Sequence, residues 1–347
     1  MPLEIGVFDH LDRGGLPLPE LYESRLRAIE RYDEHGFFAY HVAEHHGTML
    51  GMAPSPGIFL ASAAQRTTRL RLGAMVYVLP AYDPLRLLEE ICMLDNLSGG
   101  RLEIGFGRGA SPYELAFFDV TTMQSRSVYD EACTVILAGL GADALTYSGK
   151  HFSYDAVPMV LQPLQRPHPP LWHGLVRANG VAFPATLRMN VVVNGPSRFV
   201  RPLTDAYRTE WRAQHGDDAV PKIGVARHIV VADTDAAAID LARQAYANWY
   251  ASNDSLWRAN GARSIHFPAT FDEAMQLGVV IAGSPDTVRS TVTRDIDDCG
   301  ATYLMGRFAF GAIPLDHLIH SIDLFGTEVM PVLKSSAGTI QQTTHAV

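Results

Sequence analysis

The sequence predicts an α/β fold, a single (β/α)8 barrel with insertions. Apolar segments with the period of strands alternate along the chain with segments of helical period. The 347 residues exceed the roughly 250 that such a barrel needs, which leaves a surplus for insertions. Polar residues also gather where the predicted strands end, as they do at the catalytic rim of a barrel. We expect one domain over residues 1–333, since no linker divides it.

Eight segments have the apolar or alternating pattern of strands. They are residues 3–9, 38–46, 70–79, 102–107, 171–176, 189–194, 223–231 and 302–308. The clearest is 102–107, where Leu102, Ile104 and Phe106 alternate with smaller or polar residues after two glycines that end a helix. The polar residues at the strand ends are His10, Glu44, His45, His46, Arg108, His173, Asn194, Arg227, His228 and Arg307.

Helical spacing follows each strand, for example from Leu18 to a stop at Gly36, and over 56–65, 112–140, 284–299 and 315–329. Two stretches interrupt this order. Residues 141–170 contain the sequence YSGKHFSY, which predicts an inserted hairpin, and residues 251–282 carry scattered Asn, Gly and Ser. We interpret 251–282 as an irregular, mobile lid, and 334–347 as a polar, frayed tail.

Composition excludes several classes of protein. The net charge of −9 argues against nucleic acid or an anionic membrane surface as a partner. Cys92, Cys133 and Cys299 lack disulfide or metal-ligand spacing, so we expect buried thiols in a reducing compartment. No apolar run approaches membrane-spanning length and no signal peptide is evident, which predicts a cytoplasmic protein.

The triplet Glu44-His45-His46 is the first candidate site. Consecutive strand residues point to opposite faces, so the two histidines share a metal ion only if the strand has already ended. We therefore predict no metal. We expect His46 to be a structural rim residue and His45 to face the site.

A second candidate surrounds Arg108. Gly105, Gly107 and Ala110 match the dinucleotide spacing G-x-G-x-x-A, but the acid expected about 20 residues later at a strand end is missing. We favour glycines that relieve crowding in the barrel. Arg108 is suited to a phosphate or pairs with an acid of the protein. The apolar residues 74–77 offer a wall for a planar ligand, whose phosphate requires a cation such as Arg108 or Arg177.

Several motifs together resemble the bacterial luciferase-like flavin monooxygenases. The matching segments are Gly36-Phe37-Phe38, Glu44-His45-His46, Leu72-Gly73, Val78-Leu79-Pro80, Asp83-Pro84, Leu94-Asp95, Ser98-Gly99-Gly100-Arg101-Leu102, Gly105, Arg108-Gly109, Pro169-Pro170-Leu171-Trp172, Gly283-Ser284-Pro285 and SIDLFGTEVMP at 321–331. They occur in order over most of the chain, and the chain is identified as a member of this family on their joint occurrence.

The resemblance implies a TIM barrel, usually a homodimer, that binds reduced FMN supplied by a separate NAD(P)H-dependent reductase. In such enzymes the flavin reacts with O2 to give a C4a-hydroperoxide, which oxidises a small organic substrate. His45 falls on the family's catalytic histidine, and the triplet that contains it favours FMN. The segment 251–282 matches a lid that excludes water.

The resemblance also assigns the cofactor contacts. Glu44 belongs to the triplet, and Met75-Val76 falls where relatives often have a non-proline cis peptide behind the flavin ring. Arg108 matches a phosphate or ribityl contact, and Leu175-Val176-Arg177 matches the phosphate loop. Relatives commonly have a serine or threonine in that loop, so here either Arg177 supplies the charge or the phosphate site is altered.

Three alternatives remain open: an F420-dependent oxidoreductase on the same barrel, a non-catalytic flavin-binding subunit, and a nicotinamide-binding Rossmann enzyme. Titration with each cofactor separates the first and third from the FMN enzyme. His45 argues against the second. The first-strand residues Asp9 and His10 are candidates for the substrate pocket.

Overall fold

The protein, described here by a computed structural model over residues 3–264 and 267–339, contains the expected barrel. In chain order the strands are β1 Glu4–Asp9, β2 Ala39–Val42, β3 Arg71–Val78, β4 Leu102–Gly107, β5 Ala144–Ser148, β6 Ser153–Pro158, β7 Leu171–Gly174, β8 Asn190–Val193, β9 Ile223–Val231, β10 Val280–Gly283 and β11 Tyr303–Arg307. The helices are α1 Leu18–His35, α2 Pro56–Ala64, α3 Pro84–Leu97, α4 Pro112–Ala116, α5 Thr122–Gly139, α6 Ala182–Thr186, α7 Ser197–His215, α8 Asp235–Ala259, α9 Phe271–Gln276, α10 Pro285–Cys299, α11 Leu315–Leu324 and α12 Met330–Thr339.

The barrel consists of β1, β2, β3, β4, β7, β8, β9 and β11, each parallel to the next. It closes where β11 pairs with β1. These are the eight strands that the sequence predicted. The sequence analysis missed β10, a four-residue strand that pairs with the second half of β9, from His228 to Val231.

Side chains alternate between two layers. The inner layer is a small apolar cluster drawn from strands and their ends, and its members are Phe8, Ala43, Met75, Trp172, Val192, Ala226, Tyr303 and Met305. The outer layer is the main core between the strands and the helices. Because direction alternates along a strand, Phe8 inside the barrel places Asp9 outside it and His10 inside again.

Local sequence explains where the elements begin and end. Gly36 ends α1 in the left-handed conformation with φ of 72°. Asp83 begins α3 by accepting hydrogen bonds from the backbone N–H groups of Leu85 and Arg86. The predicted hairpin in 141–170 is confirmed as the antiparallel pair β5 and β6. The predicted helix over 112–140 is two helices, α4 and α5.

The prediction for residues 251–282 was wrong about their structure. Helix α8 continues to Ala259, and the polar residues that suggested a loop make buried hydrogen bonds. The Asn253 amide donates to Ser264 Oγ at 3.0 Å, and Asp254 accepts from the Ser264 N–H at 2.8 Å. Helix α9 and strand β10 follow. Composition indicated a loop because buried polar partners are invisible in sequence.

Two further expectations concern the surface and the thiols. Of the predicted tail 334–347, α12 covers the part up to Thr339, and 340–347 lie outside the described residues. The three cysteines are buried and free, as expected, and burial raises their thiol pKa to about 11 or 12. Within the described ranges, no helix is long and apolar enough to cross a membrane.

Candidate active site at the barrel mouth

His45 lies at the meeting point of two loops of the barrel mouth. Strand β2 ends at Val42, so Glu44, His45 and His46 belong to the loop that follows it. His45 Nδ1 lies 3.2 and 3.3 Å from the two carboxylate oxygens of Glu114, in α4 after β4. The same carboxylate accepts a 2.8 Å hydrogen bond from the His46 backbone N–H. Glu114 therefore fixes both the His45 ring and the backbone beside it.

Glu44 connects this loop to the end of β3. Its Oε2 atom accepts hydrogen bonds from the Val78 N–H at 3.1 Å and from the Tyr82 hydroxyl at 2.8 Å. Its Oε1 atom lies 2.8 Å from His46 Nε2. The side chain of Glu44 is wholly buried. Its carboxylate is thus occupied by the protein, and His46 is a hydrogen-bonded rim residue, as predicted.

Glu114 was not among the site residues predicted from the sequence. Burial raises the pKa of this carboxyl, but the His45 ring and the His46 N–H lower it more, so the pKa lies below its ordinary value. An ionised carboxylate only accepts, which assigns the proton to His45 Nδ1 and leaves Nε2 free to face a reactant. Ser111 caps α4 by accepting from the Glu114 N–H. The sequence Ser111-Pro112-Tyr113-Glu114 indicated a helix start, but not this long-range contact.

A cavity of about 530 Å³ adjoins His45. The loop after β2 forms one side, with Met49 and Met52, and the last turns of α8 form the other, with Ser255 and Leu256. Thr48 and Ser255 connect the two sides through hydroxyls 3.2 Å apart. The residues predicted to contact the cofactor, Glu44 included, do not line this cavity. Of the residues proposed for the site, His45 is the one that lines the cavity.

His10 lies inside the mouth beside His45, as its inward direction requires. The two rings are stacked with centroids 5.8 Å apart, and Trp249 of α8 donates to His10 Nδ1 at 3.4 Å. Burial first, and then the nearby Arg307 cation, lower the pKa of His10 well below its ordinary value. His10 is therefore neutral at pH 7. Asp9 lies on the other face of β1, 3.1 Å from Arg25 of α1, so it does not line a substrate pocket.

The Met75–Val76 peptide is cis, as the resemblance implied. The β3–β4 register shifts between Ala74 and Tyr77, which forms a bulge at this position. A Cβ atom on Gly107 would lie 2.0 Å from Val76 Cγ2, and one on Gly105 would lie 2.3 Å from the Ala74 carbonyl oxygen. This confirms the interpretation of these glycines as relief of crowding, since β4 passes the bulge too closely for side chains.

Two arginines at the mouth are exposed and available to a ligand. Arg108 follows β4 and Arg177 follows β7, and no described residue forms a hydrogen bond or ion pair with either side chain. Leu175 is buried, whereas Val176 is 80% exposed. Arg108 therefore has no acid of the described chain as a partner, and the two guanidinium groups, the apolar Val176 and the bulge fit a ligand with a planar ring and a phosphate.

The other predicted rim residues differ in what they contact. Arg227 points away from the mouth and pairs with Asp295, with Nε 2.8 Å from the carboxylate, so it is structural. His173 Nδ1 lies 3.0 Å from the Tyr129 hydroxyl, and burial lowers the His173 pKa to about 4. Asn194, His228 and Arg307 lie together on the β8–β11 side of the mouth. No group of three potential metal ligands occurs in the described part of the chain.

Comparison with known proteins agrees with this geometry. The family model described as luciferase-like monooxygenase matches residues 3–302. An uncharacterized protein of Sinorhizobium fredii, y4wF, is 39% identical over 330 residues, covering 94% of this chain and 96% of that protein. The oxygenase component of the flavin-dependent trigonelline monooxygenase of Acinetobacter baylyi is 28% identical over 246 residues, covering 67% and 66%.

Solved structures show the same fold. The monooxygenase RslO1 of Streptomyces bottropensis superposes with a TM-score of 0.87 at 24% identity, covering 95% of this chain and 99% of that chain. The oxygenating constituent of Pseudomonas putida 3,6-diketocamphane monooxygenase, in complex with FMN, gives 0.76 at 18%, covering 95% and 98%. An F420-dependent secondary alcohol dehydrogenase gives 0.70 at 15%, covering 96% and 99%.

The family match spans most of the chain, and the barrel, the cis peptide and the histidine triplet are all present. The chain therefore belongs to the luciferase-like monooxygenase family, and it is an enzyme.

Proposed function

We propose that this protein is a monooxygenase that uses reduced FMN and O2 to oxidise a small organic substrate. The observation that carries the proposal is the position of His45, which Glu114 holds with Nδ1 protonated beside a cavity large enough for a small molecule. Bound reduced flavin would activate O2 and deliver one oxygen atom to the substrate.

The residues that would hold FMN lie at the ends of β3, β4 and β7. Met75 and Val76 would support the ring, and Leu175, Val176 and Arg177 would form the loop beside the phosphate. Arg108 and Arg177 are the cations available to it, because they have no partner among the described residues. A guanidinium offers two parallel hydrogen bonds to phosphate oxygens, so Arg177 would replace the hydroxyl groups common in relatives.

His45 would act as the proton donor or acceptor at the reacting centre through Nε2. Glu114 orients the ring, while Glu44 fixes the loop by its contacts with β3 and acts on the cofactor only through that loop. The end of α8 would exclude water: Trp257 packs against Tyr113 of α4 with ring centroids 5.3 Å apart, across the mouth. These contacts support a lid over 251–282, although the end of α8, helix α9 and the start of β10 lie within it.

We further infer a single domain with insertions near 141–170 and 251–282, a homodimer, and a separate reductase as the source of reduced flavin. The name of the Acinetobacter baylyi relative, an oxygenase component, supports the last inference. Mixing the protein with a generic flavin reductase, FMN and NADH would test it.

The decisive test compares His45→Ala and His45→Asn with the wild type, using reduced FMN supplied by dithionite or a reductase. We expect both variants to bind FMN and to lose turnover by about 10²-fold or more, since a positioned proton-transfer group contributes 10² to 10⁴. His45→Asn keeps a donor for Glu114 and lacks Nε2, so it controls for loss of the loop structure. Unchanged turnover in both variants would contradict a proton-transfer role for His45, whereas FMN binding without any turnover in the wild type would indicate a non-catalytic flavin-binding subunit.

The rival cofactor is F420, which a neighbour of the same fold carries. Titration of tryptophan fluorescence with FMN, F420 and NADH separates the three cases. We expect saturable binding of FMN. Saturation by F420 alone would make the enzyme a hydride-transfer oxidoreductase, and tight NADH binding without flavin would favour a nicotinamide enzyme.

A further inference from the structure

The end of β11 carries a buried cation that has no acidic partner among the residues the structure describes. Arg307 is 2% exposed. Its Nη2 donates to Asn194 Oδ1 at 2.7 Å, and its Nε is buried without a partner among the described residues. The guanidinium lies over two aromatic rings, 4.8 Å from the Phe8 centroid and 5.4 Å from that of Phe267.

The neighbouring groups leave the positive charge of Arg307 unbalanced. Burial first, and then repulsion from Arg227, lower the Arg307 pKa to about 9, so the group is still charged at pH 7. His10 and His228 are neutral, because burial and the same Arg307 charge lower their pKa values. His228 has neither ring nitrogen hydrogen-bonded within the described residues. Within residues 3–264 and 267–339, no carboxylate forms an ion pair with Arg307, although the chain carries a net charge of −9.

A buried cation is ordinarily paired, since an uncompensated charge disfavours folding. The counter-charge can come from a ligand, and the position of Asn194 shows where it would enter. Asn194 is exposed at the end of β8, although it holds the buried guanidinium. Phe267, on the other side, is only half-buried. A carboxylate could therefore reach Nη2 and Nε by displacing the Asn194 amide or the Phe267 ring.

We propose that Arg307 is the subsite for a carboxylate of the organic substrate, so that this enzyme acts on small organic acids. The proposal rests on the proposed function for the reaction itself. Strands β11, β1 and β2 are consecutive in the barrel, so Arg307, His10 and His45 lie on neighbouring strand ends. Strands lie about 4.8 Å apart, so the span from Arg307 to His45 is on the order of 10 Å, which suits a molecule of one ring or a short chain.

The test measures binding to the purified protein without flavin. Benzoate and phenylacetate, each beside its uncharged amide, are titrated against tryptophan fluorescence and thermal unfolding. We expect the wild type to prefer each acid over its amide by about tenfold or more, the range of a hydrogen bond to a charged group. No preference in the wild type would overturn the proposal.

Two variants make the test specific. Arg307→Met removes the charge at similar volume, and Asn194→Asp places a carboxylate beside Nη2 as an internal competitor. We expect both to abolish the preference for acids and to leave the melting temperature equal to or above that of the wild type, since each removes the imbalance of charge. Arg198→Met, on the exposed face of α7, loses the same charge and should keep the preference. A preference that survives in Arg307→Met would contradict the proposal.

A parallel titration with reduced FMN separates the two possible anions. We expect Arg307→Met to bind reduced FMN as the wild type does. If Arg307→Met instead loses affinity for reduced FMN, and the wild type shows no preference for acids, then the anion that binds Arg307 is the reduced flavin ring. The proposal then fails. If the wild type prefers acids but binds no FMN, the subsite stands and the proposed function fails.

Discussion

The two sides of the barrel mouth differ in whether their buried ionisable groups have partners. On the side of β2 to β4, the acids Glu44 and Glu114 meet hydrogen-bond donors from several loops. On the side of β8 to β11, neither Arg307 nor His228 is paired with an acid in the described part of the chain, and aromatic rings pack against them. The hydrogen bonds of Glu44 and Glu114 are satisfied within the protein, so these acids are suited to hold His45 in place. The second side becomes electrically balanced only when an anion binds.

The largest effect on stability is expected from Glu44→Ala. The truncation leaves the Val78 N–H, the Tyr82 hydroxyl and His46 without their buried acceptor, so the free energy of unfolding should fall by about 2–4 kcal/mol. Denaturant unfolding measures this. Glu44→Gln keeps an acceptor and should lose less, and Glu89→Ala, at an exposed acid of α3, should lose almost nothing. Equal losses in Glu44→Ala and Glu89→Ala would remove the contrast between the two sides.

Glu114→Gln should weaken the orientation of His45. The amide replaces one acceptor oxygen by an NH2 donor and removes the negative charge, which weakens the contact with the protonated Nδ1 of His45. We therefore expect kcat to fall about 10- to 100-fold with little change in KM for flavin. A fall in flavin affinity with kcat unchanged would contradict this assignment.

The same variant has a defined pH signature. The folded-state pKa of Glu114 lies below its ordinary value of 4.5, so the stabilisation is present above pH 4.5 and is lost as the pH falls through the folded-state value. The difference in unfolding free energy between wild type and Glu114→Gln should therefore shrink on acidification. A difference that grows towards low pH would mean that burial dominates.

Gly107→Ala should have a smaller effect, of about 1–3 kcal/mol, because its Cβ would lie 2.0 Å from Val76 Cγ2. The matched control is Gly174→Ala, at the end of β7, where an added Cβ meets nothing within 4 Å. The double variant Gly107→Ala with Val76→Ala should recover part of the loss. Thermal unfolding of these three variants tests whether the bulge at Val76 is the reason that position 107 requires glycine. Equal stability of Gly107→Ala and Gly174→Ala would show that it is not.

The smallest effect is expected at the cavity. Thr48→Val removes the hydroxyl that meets Ser255 across the 3.2 Å contact, and should reduce stability by at most about 1 kcal/mol. A double-mutant cycle with Ser255→Ala isolates the contact. A coupling indistinguishable from zero would show that the loop after β2 and helix α8 are independent.

The barrel was predictable because the apolar or alternating pattern of a strand is a local property of the sequence. All eight barrel strands carry it, and the polar residues at their ends identified the mouth. The pattern could not show whether a side chain at the end of a strand points into the barrel or out of it. Asp9 and Arg227 were grouped with the rim, yet each points outward to an oppositely charged side chain, Arg25 or Asp295. One residue of register separates a ligand contact from a structural ion pair.

Contacts between distant loops were the other gap. Glu114 lies 69 residues from His45, and no spacing rule connects them. Helix α8 extends through Asn253 and Asp254 because Ser264 satisfies their polar groups, which composition alone cannot show. The unbalanced charge at Arg307 likewise becomes visible only when all its neighbours are known. The sequence indicated which residues are polar at the mouth, and the structure showed which of them have partners.

The most direct test of a flavin phosphate site at the ends of β4 and β7 compares FMN with riboflavin, which lacks the phosphate. Both are titrated by fluorescence against the wild type, Arg108→Met and Arg177→Met. We expect the wild type to bind FMN more tightly than riboflavin, and at least one substitution to lower FMN affinity to the riboflavin level with riboflavin binding unchanged. Equal affinity of the wild type for the two flavins, or an FMN preference that survives both substitutions, would contradict a flavin site at the ends of β4 and β7.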